Sequence, residues 1–175
     1  MSLRSENEME ARDFVHPSEY DVLLSDVGHN ELIGPIADML EVNYLEEQQE
    51  IKYSPKDGIN GILYGTNARP MINLVVSSTK FKKPINIIFL LDTGSPCVYI
   101  CEEAMKKLGF HDHFPSVFTI NVGEIRGRHE AIMSGKDGHY SDLNLIGATF
   151  LSKIMAKIVL DYETNTCQLI TNSIS

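Results

Sequence analysis

Phe89-Leu90-Leu91-Asp92-Thr93-Gly94-Ser95-Pro96 is the most informative stretch of this 175-residue chain. From Ile85 to Leu91 the sequence is apolar almost throughout, the pattern of a strand buried on both faces. That strand delivers an aspartate straight into a turn. A carboxylate is costly there unless hydrogen bonds hold it or chemistry uses it. Gly94 lets the backbone turn sharply and bring amide N–H groups to the carboxylate. Thr93 adds a hydroxyl that can pin the loop. An Asp-Thr-Gly turn is also an ordinary way to end a strand, because Asp and Gly are favoured turn residues. The tripeptide needs a second feature before it carries a function.

Working outward, Ile72 to Val76 reads as a strand, and the polar turn Lys80 to Lys83 before Pro84 makes a hairpin with Ile85 to Leu91. After the motif, Cys97 to Cys101 reads as a strand and Glu102 to Leu108 as a short helix ended by Gly109. Phe118 to Val122 and Glu130 to Met133 read as strands around a turn at Gly123 to Gly127. Leu143 to Ile146 is a further strand, Ala148 to Ile154 a short helix, and Lys157 to Asp161 with Thr166 to Ile170 a final hairpin. Many short strands with few short helices predict a mainly β domain, a small barrel or sandwich, over residues 71–171.

Ahead of that domain the texture differs. Residues 1–50 hold 13 acids and 2 bases, whereas the remainder holds 11 acids and 13 bases. The first segment is therefore an acidic extension, read as a solvated, partly disordered tail over 1–27. Near-helical spacing of Leu32, Ile33, Ile36, Leu40 and Leu45 predicts a helix over 30–48, with Asn30 as its cap. Residues 51–70 read as a linker rich in turn signals, with a short strand around Ile62 to Tyr64.

An acidic balance argues against a nucleic-acid partner. The sequence has no run of 18 apolar residues and no apolar leader core, so neither a membrane span nor a secretory signal is expected. Three cysteines at irregular spacing fit a reducing, cytoplasmic setting better than a disulfide framework. Cys97 and Cys101 lack a matching ligand pair, as do His111 and His113, so no metal and no cofactor is expected. The two cysteines read as small apolar residues and the two histidines as part of a polar surface loop.

The second feature is Leu143-Asn144-Leu145-Ile146-Gly147, another apolar strand ending in Gly and followed at once by a helix. With the Asp-Thr-Gly stretch it resembles the retropepsins, the single-domain aspartic proteases of retroviruses and retrotransposons. In that family an apolar strand leads into Asp-Thr/Ser-Gly, and an apolar pair plus Gly later precedes the C-terminal helix. Here Gly147 follows Asp92 by 55 residues, and the likeness spans roughly 70–171. Ser95 is similar to the Ser that follows the same motif in pepsin-like enzymes.

The resemblance implies a small closed β-barrel and peptide-bond hydrolysis without a cofactor. It casts Asp92 as the catalytic carboxylate, Thr93 as a brace of the dimer, Gly94 as a source of backbone contacts, and Gly147 as a close support beneath the loop. Water is activated between two carboxylates that share one proton. Asp57-Gly58 and Asp137-Gly138 lack the apolar strand and read as turns, so the second aspartate is expected from a second copy of the chain. The family's terminal strands imply an interface at Thr166 to Ile170, with Met71 to Val76.

Two departures weigh on activity. Ala148 and Pro96 stand where retroviral members carry an arginine and an acid. Gly109 to Val117 is also too short for the glycine-rich hairpin, the flap, that closes over substrate; Gly123 to Gly127 reads as a later turn. The alternative to an endopeptidase acting on protein or peptide is therefore the same barrel used for dimerisation or protein binding. A third reading gives the acidic extension an adaptor contact.

Overall fold

The computed structural model describes residues 26–48, 58–123, 125–135 and 140–172. Asp57, the Asp137-Gly138 turn and nearly all of the 1–27 tail lie outside them, and with them the expectations placed there.

Nine strands form one sheet: β1 (Ile59–Tyr64), β2 (Arg69–Ser78), β3 (Ile85–Leu91), β4 (Tyr99–Ile100), β5 (Val117–Val122), β6 (Ile125–Met133), β7 (Leu145–Ile146), β8 (Lys157–Asp161) and β9 (Thr166–Ile170). Their order is β3-β7-β4-β6-β5-β2-β1-β9-β8. An additional β2–β3 ladder, from Met71↔Leu90 to Val76↔Ile85, closes the first six into a barrel. The fold is mainly β, with a closed six-stranded barrel and few short helices, as the strand pattern predicts.

β3 explains why its sequence is apolar on both faces. Ile85, Ile87, Phe89 and Leu91 point into the barrel core with Leu74, Ile100, Ile120 and Ile146. Ile88 and Leu90 point the other way, into a second cluster with Leu32, Ile36, Tyr99, Tyr140 and Leu145. Each such fully buried side chain contributes about 1.5–3 kcal/mol. Leu32 and Ile36 come from α1, a kinked segment that runs through His29–Glu31, a π-helical Leu32–Ile36 and Ala37–Met39. The extension therefore covers the outer face of the barrel.

β6 starts at Ile125, inside the expected Gly123 to Gly127 turn and ahead of the expected start at Glu130, because Ile125 already pairs with Val122. Three further features differ from the sequence reading. α1 stops at Met39 instead of reaching 48, because Leu40 and Glu41 form a turn in which Glu41 takes φ 56°. The chain then runs alongside β3: Leu45 N donates to Asn86 O at 2.8 Å and Gln48 N to Pro84 O at 2.8 Å, with a Glu47↔Ile85 bridge. The second difference is β1, which falls in the expected linker yet pairs with β2 and β9 as a full member of the sheet. The third is Val27, expected in the solvated tail but only 5% exposed in the second cluster. Its neighbour Asp26 accepts from the Arg69 guanidinium, Nη2 to Oδ1 at 3.0 Å. Those bonds hold its carboxyl below the usual carboxylate range.

Two short helices complete the architecture, α2 (Glu102–Lys107) and α3 (Ala148–Lys153). Both lie where the sequence predicts them. α2 ends at Gly109, where φ is 93°.

Candidate active site

Asp92 is the first residue beyond β3, and the parallel strand β7 holds it there. Leu90 N donates to Asn144 O at 2.9 Å and Asp92 N to Ile146 O at 3.0 Å. The turn then closes on itself. Ser95 N donates to the Asp92 carbonyl at 3.1 Å, and Gly94 N donates to Asp92 Oδ1 at 2.9 Å. Sharing an orphan amide in this way fixes the carboxylate's orientation. Asp92 is half-buried and Thr93 and Gly94 are exposed, while Ser95 is fully buried. Ser95 Oγ has no hydrogen-bond partner among the described residues. The half-buried carboxylate thus sits just beyond the end of β3 on a hydrogen-bonded turn.

Gly147 lies directly beneath that turn. A Cβ added there would stand 2.3 Å from Cys97 O, 2.6 Å from Ser95 O and 2.8 Å from Cys97 N. All three are backbone atoms that cannot swing aside, so only glycine fits. The next residues grip the loop from below. Ala148 N donates to Ser95 O at 2.7 Å, and Thr149 donates to Pro96 O twice, from N at 2.9 Å and from Oγ1 at 2.7 Å. Pro96 and Ala148 cannot form the ionic brace found in retroviral members. Thr149 supplies a neutral one at the same junction.

Asn144 escaped the sequence reading. Its Nδ2 donates to Ile88 O at 3.1 Å and to Tyr44 Oη at 2.8 Å, while its Oδ1 accepts from Cys101 N at 3.0 Å. One buried amide therefore ties β3, β7, the chain after β4 and the N-terminal extension together. A signal was available, since a lone polar residue within Leu-Asn-Leu-Ile needs buried partners. Tyr44, far away in sequence, gave none.

Burial pushes Cys97, Cys101 and Cys167 above the ordinary thiol range, Cys167 to about 11. All three are free. His111 and His113 are exposed on the loop after α2. Among the described residues no three His, Cys, Asp or Glu side chains gather as a metal would require.

Among the described residues, no β-hairpin follows the Asp92 turn before β5. Residues 101–116, all described, comprise α2 and coil. The turn between β5 and β6 lies elsewhere: Val122 pairs with Val76, which pairs with Ile85 at the opposite end of β3 from Asp92. At about 3.3 Å per residue that is roughly 20 Å away along the strand.

No family model matches the sequence, and no curated protein matches it. Among solved structures, the chain is similar to a retropepsin-like aspartic protease from Rickettsia conorii, with a TM-score of 0.45 and 18% identity. The alignment covers 69% of this chain and 97% of that one.

Proposed function

We propose that this chain is one half of an aspartic endopeptidase, in which the Asp92 carboxylates of two copies share a proton and activate water against a peptide bond. The observation that carries the reading is the Asp92 turn. A buried strand ends in a carboxylate fixed by Gly94 N, and Gly147 and Thr149 support that turn through backbone contacts. A turn that only ended a strand would need neither the close glycine beneath it nor the half-buried, oriented carboxylate.

One carboxylate is half of such a mechanism. With a single copy ionised and the other protonated, one oxygen pulls a proton from water as the second donates to the carbonyl. The chain holds one Asp-Thr-Gly, so the active unit is a homodimer acting on protein or peptide in the cytoplasm. No cofactor takes part in this scheme. The absence of an overhanging hairpin favours slow turnover, since less water is excluded from the cleft. It also supports a second reading, in which the barrel binds a partner without cleaving it.

Cleavage of a broad peptide library separates the two. The peptidase reading expects a bell-shaped profile peaking on the acid side of neutrality, abolished by Asp92→Asn with the fold retained. A folded dimer that cleaves nothing, and behaves like its Asp92→Asn variant, leaves the binding module.

A further inference from the structure

Arg69 pairs with Asp26, Lys83 with Glu47 and Lys106 with Glu102. The Lys82 ammonium and the Arg128 guanidinium have no such partner among the described residues, yet both line one cavity of about 370 Å³. The rest of its described lining is Ser77, Ser78, Thr79 and Asn121, with no carboxylate. The chain as a whole holds 24 acids against 15 bases, so this cavity reverses the prevailing sign.

The fold builds the cavity from three strands and a turn. Ser77 on β2 is the direct partner of Asn121 on β5, which puts their side chains on one face of the sheet. Ser78 is buried and holds the following turn. Its Oγ donates to Leu108 O at 2.7 Å and accepts from Lys80 N at 3.1 Å and Phe81 N at 3.0 Å. That turn carries Thr79 and Lys82. β6 supplies Arg128 through an irregular ladder. The register passes from Ile120↔His129 to Val122↔Ile125, so Asn121 alone stands opposite residues 126–128. Extra residues of this kind bend a strand and re-aim its side chains, and Gly127 takes φ 97° among them. The Arg128 carbonyl accepts from Lys153 Nζ at 2.7 Å, which leaves its guanidinium uncommitted. The side chains of Ser77, Thr79 and Asn121 likewise have no hydrogen-bond partner among the described residues.

Two unpaired cations converging on one space repel each other until an anion stands between them. A phosphate monoester carries about two negative charges near neutral pH and three strong acceptor oxygens, matching two cations and the neutral donors around them. Arginine grips such a group through two parallel N–H bonds, and lysine as a point charge. We propose that this cavity binds a phosphate monoester, its phosphate held by Arg128 and Lys82 and its remaining oxygens by Ser77, Thr79 and Asn121. The cavity lies beside the end of β2 that pairs with Ile85, at the far end of β3 from Asp92, so the proposal stands apart from the peptidase reading.

Isothermal titration calorimetry on the full-length chain at low salt tests it, with O-phosphoserine, serine, and an extended peptide carrying one phosphoserine as probes. O-phosphoserine should bind and serine should not. A peptide that binds at least about tenfold more tightly than the amino acid makes the source a phosphorylated protein side chain. Equal affinities make it a small phosphorylated molecule. Arg128→Ala should weaken phosphoserine at least about tenfold, and Arg128→Lys severalfold, because the charge stays while the fork is lost. Lys82→Ala should also weaken it severalfold. Asn121→Asp is nearly isosteric, places a carboxylate in the cavity, and should weaken it at least as much as Arg128→Ala. All of these side chains are exposed, so the urea midpoint should hardly move. Lys83→Ala is the control, since that ammonium is held by Glu47 at 2.8 Å and does not line the cavity. Phosphoserine that binds no better than serine overturns the proposal. So does an affinity that ignores both Arg128→Ala and Asn121→Asp, or one that Lys83→Ala weakens as much as Arg128→Ala, which would mean diffuse surface charge.

Discussion

His129 should make this fold sensitive to acid. It is 2% exposed on β6, edge-on to Phe150 of α3 with ring centroids 4.7 Å apart. Neither ring nitrogen has a hydrogen-bond partner among the described residues. Burial holds its pKa below the ordinary value, and the Lys153 ammonium adds to the effect, against a weak opposing pull from the Arg126 backbone. Arg128 and Glu130, its neighbours on β6, are exposed, and β5 brings no titratable group against it. The sign follows from linkage. Above about pH 6.5 the imidazole is neutral folded or unfolded. As pH falls below that, the unfolded chain takes the proton first, so stability falls with pH until the folded form is protonated too. His129→Leu should therefore flatten the loss of stability between about pH 7 and about pH 5, read from urea midpoints at each pH. A loss as steep as the parent's would place the acid sensitivity elsewhere. The consequence reaches the site, because α3 grips the Asp92 loop through Ala148 and Thr149. A carboxylate pair that works best in mild acid would operate where its support begins to soften.

Strand by strand, the hydrophobic pattern translated well into structure, and the misses have physical causes. The β8–β9 hairpin lies within the expected residues, and the Asp92 turn stands at the end of an apolar run as the pattern requires. The continuous apolarity of β3 signalled two covered faces but not the cover, which is α1 from a segment read as an appendage. Only the second half of β1, around Ile62 to Tyr64, was legible, because its own glycine hid the first. Gly61 breaks the run Ile59-Asn60-Gly61-Ile62, and it is there because a Cβ would meet Met71 O at 2.3 Å. Gly147 packs against the backbone of Ser95 and Cys97, whereas the Asn144 amide linking this region to Tyr44 emerged only from the fold. That link makes the extension part of the site's scaffold. Tyr44→Phe removes one of Asn144's hydrogen bonds and should cost about 1 kcal/mol. In hydrogen exchange the loss of protection should spread from residues 42–48 to Leu90 and Asp92. A change confined to the extension would mean that it only covers the barrel.

Taken as a molecule, the chain combines a closed six-stranded barrel with a carboxylate oriented by Gly94 N just beyond the end of β3. The charges divide unevenly, with the acids concentrated in the first 50 residues and the barrel close to neutral. A nearly neutral barrel lets two copies approach without strong mutual repulsion. No helix among the described residues is long and apolar enough to cross a membrane. In the proposed function two Asp92 side chains meet. A structure of the dimer at mildly acidic pH measures this directly. Carboxylates that share a proton should lie roughly 3 Å apart across the two-fold axis, with one proton between them. Carboxylates held on opposite sides of the dimer, beyond the reach of one bridging water, would contradict that function.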